Sequence, residues 1–305
     1  MDGITRRRLL MAVGALGAAA LTGCARSGGQ RAAPSRAPEL SSTGGGLKLV
    51  APGVQPSMNV LLGQSEVLVG KAQRVAFGLA TVENRSIDHA DVKVRFVAEN
   101  GRVGVPVQPS FHEGIAGRGT YIARVDVPAP GVGWVVVTAT DQRTGGETAV
   151  PARPPEKSQT VPPGGKAIST RTATVADPLG VAQLCTRKPQ PCGMHQVSLD
   201  QALAAHRPVV LTFATPAFCA SATCGPVVDH VESVRTTRDW GGIGWIHVEI
   251  YSDKDGRTPV QAVQDWHLPS EPWIFTLSRD GAVVDRMEGP LVPEELPPLV
   301  ERLLR

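Results

Sequence analysis

Apolar and polar positions alternate with period two through much of residues 47–150. Residues 66–69, 75–79, 92–97, 120–127 and 133–139 all follow it. Alternation over such short runs marks half-buried strands. Gly, Pro, Asn and Asp split the runs at near-regular spacing, which predicts an all-β sandwich. From Pro208 the pattern changes. Residues 209–213 form a continuous apolar run, β-branched and aromatic, which predicts a strand buried on both faces. After Pro226, the residues Val227, Val228, Val231 and Val234 recur at helical spacing, so a helix is expected to pack back onto that strand. Further on, the pattern predicts a central strand over 243–250, a helix over 258–266, a hairpin around Asp280-Gly281 and a closing helix over 293–304. Ser198 is placed to cap a short helix over 199–205.

Two stretches have no such pattern. Residues 25–46 hold Ser, Gly, Ala, Pro and Arg with few large apolar groups, and read as a disordered tether. Residues 151–174 carry Pro154-Pro155 and Pro162-Pro163-Gly164-Gly165, and read as a stiff linker that lets its flanking domains reorient. A chain of 305 residues exceeds one typical domain. The expected organisation is therefore a leader (1–24), a tether (25–46), a β-sandwich (47–150), a linker (151–174) and a second domain (175–305). The net charge is only +3, and no basic stripe with interleaved aromatics is present, which argues against a nucleic-acid partner.

The leader has a charged start, Thr5-Arg6-Arg7-Arg8-Leu9-Leu10, and an apolar stretch to Leu21 that is too short for a comfortable membrane span. The start is similar to a twin-arginine export motif, and Sec export stays open. Leu21-Thr22-Gly23-Cys24 resembles the bacterial lipobox, which implies that Cys24 receives the lipid and becomes the first mature residue. Either route delivers the chain outside the cytoplasm, anchored to the cell membrane, where disulfides can persist. Setting Cys24 aside leaves an even set: Cys185, Cys192, Cys219 and Cys224.

The candidate chemistry lies in residues 208–231, where a strand leads through a Pro- and Ala-containing turn to Cys219 and Cys224. Unpaired N–H groups at a helix start favour a thiolate, the form that attacks disulfides. In one continuous helix, five residues advance about 7.5 Å and turn about 140° beyond a full circle. A disulfide needs Cα atoms roughly 4.4–6.8 Å apart. Either Cys219 therefore lies on the turn before the helix, or the bridge partners differ. Cys185 and Cys192 flank a proline-rich loop that can bring its ends close enough to bridge. Four cysteines allow three pairings. His247, in a strand, reads as packed or hydrogen-bonded.

Phe213-Ala214-Thr215-Pro216-Ala217-Phe218-Cys219, Pro226-Val227-Val228-Asp229 and Ser270-Glu271-Pro272-Trp273 resemble landmarks of the thioredoxin superfamily. The spacing here is C-x4-C, with Ala222 where that family's second cysteine stands. The resemblance implies an α/β thioredoxin-like fold over the C-terminal part, preceded by an immunoglobulin-like sandwich that is matched by pattern alone. It implies a membrane-anchored thiol–disulfide oxidoreductase without a cofactor, with Cys219 attacking, Cys224 resolving and a cis Pro272 presenting backbone to the partner. Cys185–Cys192 would be a structural disulfide. Expected partners are exported client proteins or a membrane redox protein. Two alternatives remain. One is metal handling like that of the Sco-like copper branch, through Cys219, Cys224 and His195, whose thiolates and imidazole suit Cu(I) or Zn(II). The other is a non-catalytic adaptor lipoprotein.

Overall fold

The computed structural model describes residues 53–115 and 118–305. The expected leader, its Cys24 and the tether lie outside the described residues. No helix among the described residues is long and apolar enough to cross a membrane.

The N-terminal part contains β1 (Gln55–Pro56), β2 (Met58–Leu62), β3 (Val67–Leu68), β4 (Gly70–Thr81), β5 (Val92–Ala98), β6 (Ser110–Ile115), β7 (Arg118–Val127), β8 (Gly131–Ala139) and β9 (Thr144–Arg153). One sheet has the order β1-β9-β8-β5 with β3 also on β9, and a second has the order β2-β4-β7-β6. Alternate residues such as Val75, Phe77 and Leu79 in β4 and Val135 and Val137 in β8 meet in one core between the sheets.

The C-terminal part contains α1 (Leu199–Ala204), β10 (Val209–Phe213), α2 (Cys224–Thr236), β11 (Gly244–Val248), α3 (Gln261–Asp265), β12 (Trp273–Leu277), β13 (Val283–Glu288) and α4 (Leu296–Arg302). Its sheet runs β11-β10-β12-β13, parallel between β10 and β11 and antiparallel elsewhere. Val210, Ile274 and Met287 pack with the valines of α2 and the leucines of α4. On the other face Leu211, Phe213, Phe275 and Ile246 pack with Leu199, Ala202, Ala262 and Trp266.

The expected fold class is overturned. The described residues are mostly β, with three sheets, 36% strand and only 14% helix, which does not fit an α/β thioredoxin-like C-terminal domain. The immunoglobulin-like reading fits only part of the chain. Three of the four helices among the described residues have seven residues or fewer, and local chemistry explains why. Pro259 and Val260 stay extended, so α3 starts late, and His267 adopts a left-handed φ of 51° just past its end. Pro297 and Pro298 fit only the first turn of α4. The strand expected to be central, β11, is an edge strand, with β10 inside it.

The stretch expected to act as a linker is held along the C-terminal sheet. Gly164 N–H donates to Val283 O, Val283 N–H to Gly165 O and Ala167 N–H to Gly281 O, each at 2.8 Å. These bonds cover the β13 edge, which would otherwise offer unpaired backbone. The far edge is covered too, since His247 N–H on β11 donates to Met194 O at 2.9 Å.

Charges also tie the N-terminal part to the C-terminal sheet. Glu66 is buried, and its carboxylate meets the Arg286 guanidinium at 2.8 Å and that of Arg153 at 3.1 Å. Ser158 Oγ and Gln159 N–H donate to the same carboxylate. Arg74 grips both oxygens of Glu295, at 2.6 and 2.7 Å, the bidentate geometry that guanidinium favours. Gly289 has a φ of 77°, and a Cβ there would lie 1.8 Å from the Gly63 carbonyl oxygen, so this close approach requires glycine.

Removing Arg286 leaves the buried Glu66 charge with only the partly exposed Arg153 as a cation partner. Arg286→Met is therefore expected to lower the unfolding free energy by about 3 kcal/mol in urea titrations. Adding Glu66→Gln to that variant should recover part of the loss.

Candidate functional site

The β10 strand ends where Ala214 N–H donates to Val248 O, and a tight turn follows. Phe218 and Cys219 both donate their N–H groups to Thr215 O, and Ala222 N–H donates back to Cys219 O with a left-handed φ of 58° at Ala222. Helix α2 begins at Cys224. Of the two arrangements left open by the spacing, the structure takes the first: Cys219 precedes the helix. The Cys219 and Cys224 sulfurs and a Glu271 carboxylate oxygen lie within 4.8 Å of one another.

This geometry separates the two thiols chemically. Cys219 is half-buried, and its Sγ accepts the Cys224 N–H at 3.4 Å and sits 3.2 Å from Ser221 Oγ. The Cys224 thiol, the Ser221 hydroxyl and the first helical N–H groups all stabilise a negative sulfur. They outweigh burial and bring the Cys219 pKa down to about 5. Cys224 is fully buried, and burial together with its thiolate neighbour pushes its pKa up. Near neutral pH the pair is thus one thiolate and one thiol.

Glu271 completes the cluster. Burial, with the adjacent Cys219 charge, raises its pKa to about 8, and its Oε2 has no hydrogen-bond partner. Burial next to a titrating sulfur is a usual setting for proton transfer. The Glu271–Pro272 peptide is cis. Pro272 itself is buried and its carbonyl accepts Gly289 N–H at 2.9 Å. The exposed rim around Cys219 includes Ala217, Ala220, Ser221, Ala222 and Phe218, whose ring packs edge-on against Tyr251 at 6.0 Å.

His195 does not join Cys219 and Cys224. It sits in a second cluster with Cys185, Cys192 and His247, all buried. The Cys185 and Cys192 sulfurs are 3.7 Å apart and both are thiols, whereas a disulfide bond measures about 2.05 Å. The metal trio inferred from the sequence is therefore split between two places.

The sequence contains no protein-family model match, and no curated protein matches it either.

Glu271 has no role in the sequence reading, and His247, expected to be packed or hydrogen-bonded, is buried and hydrogen-bonded but also faces the Cys185–Cys192 pair. Glu271 stands beside Pro272, and an acid placed next to a buried run was the available signal. His247 shares the β11 face of Trp245 by strand alternation, opposite that of Ile246 and Val248. Nothing in its spacing announces the loop that crosses there.

Alkylation of Cys219 by iodoacetamide, followed by peptide mass analysis, should be half-maximal near pH 5. Ser221→Ala should move that midpoint upward. The folded value lies below the unfolded one. The thiolate therefore stabilises the reduced protein fully above the unfolded thiol pKa, and this is lost as pH falls through about 5.

Proposed function

We propose that this protein is a thiol–disulfide oxidoreductase in which Cys219 attacks and Cys224 resolves. One observation carries the reading: a half-exposed sulfur at the start of a helix accepts that helix's first N–H, beside a buried second thiol. In the reductive direction the Cys219 thiolate attacks one sulfur of a client disulfide. A Cys219–client disulfide forms and the other client sulfur leaves as a thiolate. Once Cys219 is held in the mixed disulfide, its charge no longer opposes ionisation of Glu271. Glu271 then gives its proton to solvent and, as the carboxylate, takes the Cys224 proton while the Cys224 sulfur attacks Cys219. The intramolecular disulfide forms and the second client thiolate departs. Two electrons have moved from the protein dithiol to the client disulfide, and the same steps reversed oxidise a client dithiol.

A low pKa at Cys219 favours the reduced protein and so makes the couple oxidising. The lipobox-like leader supports placing this chemistry outside the cytoplasm at a membrane surface, on exported client proteins. The half-buried thiolate and its exposed Phe218 neighbour suit an extended polypeptide with an apolar residue beside its cysteine.

The test is exchange with a disulfide-bonded model peptide, followed by mass spectrometry. Cys219→Ser is expected to abolish exchange, and a fully active variant would sink the proposal. Cys224→Ser is expected to accumulate the mixed disulfide at Cys219. Glu271→Gln should leave the first attack intact and slow the release of that mixed disulfide by about 10²-fold.

A further inference from the structure

The second cluster lies outside this chemistry. Cys185, Cys192, His195 and His247 are between 1% and 6% exposed, so no client polypeptide reaches them. The loop carrying the first three crosses the edge of β11, where Met194 O accepts His247 N–H. There it delivers two sulfurs and an imidazole to the face on which His247 projects.

We propose that these four residues bind one thiophilic d10 cation, Zn(II) or Cu(I), as a structural centre. The ligand set, two sulfurs and two imidazoles, is the type those ions favour. The spacing agrees as well. A tetrahedral ion with bonds of about 2.3 Å to sulfur and about 2.05 Å to nitrogen places sulfurs about 3.8 Å apart and sulfur about 3.6 Å from nitrogen. The two sulfurs are 3.7 Å apart. Cys192 Sγ lies 3.3 Å from His195 Nε2 and 3.3 Å from His247 Nδ1, and Cys185 Sγ lies 3.7 Å from His247 Nδ1. All four ligand atoms fall within 4.8 Å of one another.

The surroundings favour a cation over a bridge. His247 Nε2 lies 3.1 Å from Ala214 O, which fixes the proton on Nε2 and turns the Nδ1 lone pair toward the sulfurs. Cys192 N–H donates to Cys185 Sγ at 3.4 Å, a bond that suits a thiolate ligand. His195 Nδ1 has no hydrogen-bond partner, so the ring's polar contact in this buried place is the sulfur it faces. Drawing the sulfurs together as a disulfide would remove the protons or cation that the His247 Nδ1 lone pair faces, at the cost of buried unpaired nitrogen. Two thiolates also neutralise a divalent ion, and binding releases the thiol protons. A cavity of 190 Å³ bordered by His247 and Glu249 offers a way in.

The experiment uses the full chain, fully reduced and held anaerobically. Zn(II) or Cu(I) is added in separate arms, excess is removed by dialysis, and retained metal is counted by mass spectrometry. About one equivalent is expected in at least one arm, and the arm that retains it identifies the ion. Co(II) added to the wild-type protein should give thiolate-to-metal charge transfer and tetrahedral d–d bands, a readout that needs no variant to fold. Cys219→Ser/Cys224→Ser should bind undiminished, which separates this site from the exchange chemistry. Cys192→Ser and His247→Gln should each lose the metal. A wild-type protein that retains neither ion and gives no cobalt bands overturns the proposal. So does retention that disappears in Cys219→Ser/Cys224→Ser but survives in Cys192→Ser.

Discussion

Parallel pairing between β10 and β11 runs unbroken from Val209 opposite Gly244 to Phe213 opposite Val248. Both cysteine clusters stand on this pairing. It aims the end of β10 at the turn that carries Cys219, and it sets Thr212 beside His247. Because β11 is the edge strand, its outer N–H groups need a partner. The loop that supplies Met194 O also carries Cys185, Cys192 and His195. Satisfying one backbone group thus assembles a buried constellation from residues far apart in the chain.

A backbone-to-side-chain hydrogen bond helps join the clusters. Thr186, next to Cys185, accepts the Ala217 N–H on its hydroxyl at 3.0 Å, two residues before Cys219. Thr186 N–H in turn donates to the buried Glu249 carboxylate. The loop of the second cluster therefore braces the turn that holds the reactive sulfur. Order at Cys185 and Cys192 becomes order at Cys219, and a low thiol pKa depends on donors held in place.

Charge is treated differently in different parts of the molecule. At the junction of the two parts, Glu66 and Arg286 are buried together and their value lies in mutual neutralisation. At Cys219 a single negative sulfur is stabilised by the Cys224 thiol, the Ser221 hydroxyl and backbone N–H groups. Glu271 and Glu288 are carboxyls whose pKa values burial raises, to about 8 and about 7, so they resist ionising where a further negative charge would be unfavourable. The balance leaves one reactive anion at an accessible place.

Much local structure was legible in the sequence, because period-two alternation and the 209–213 run depend on neighbours in the chain. Whether Cys219 stands before the helix was left open by the spacing, and the Thr215 carbonyl that gathers the Phe218 and Cys219 N–H groups decided it. Helix lengths were not legible, because prolines and a left-handed His267 cut short segments whose apolar spacing continues. The fold class differs for a related reason: the edge place of β11 and the fastening of residues 164–167 along the β13 hairpin are settled by long-range hydrogen bonds. The site divides in the same way. Sequence identified the cysteines as the chemistry, while the tertiary structure decided their company, placing Glu271 with one pair and His195 and His247 with the other. Strand and turn signals are local, but which side chains converge depends on which backbone edge a distant loop must cover.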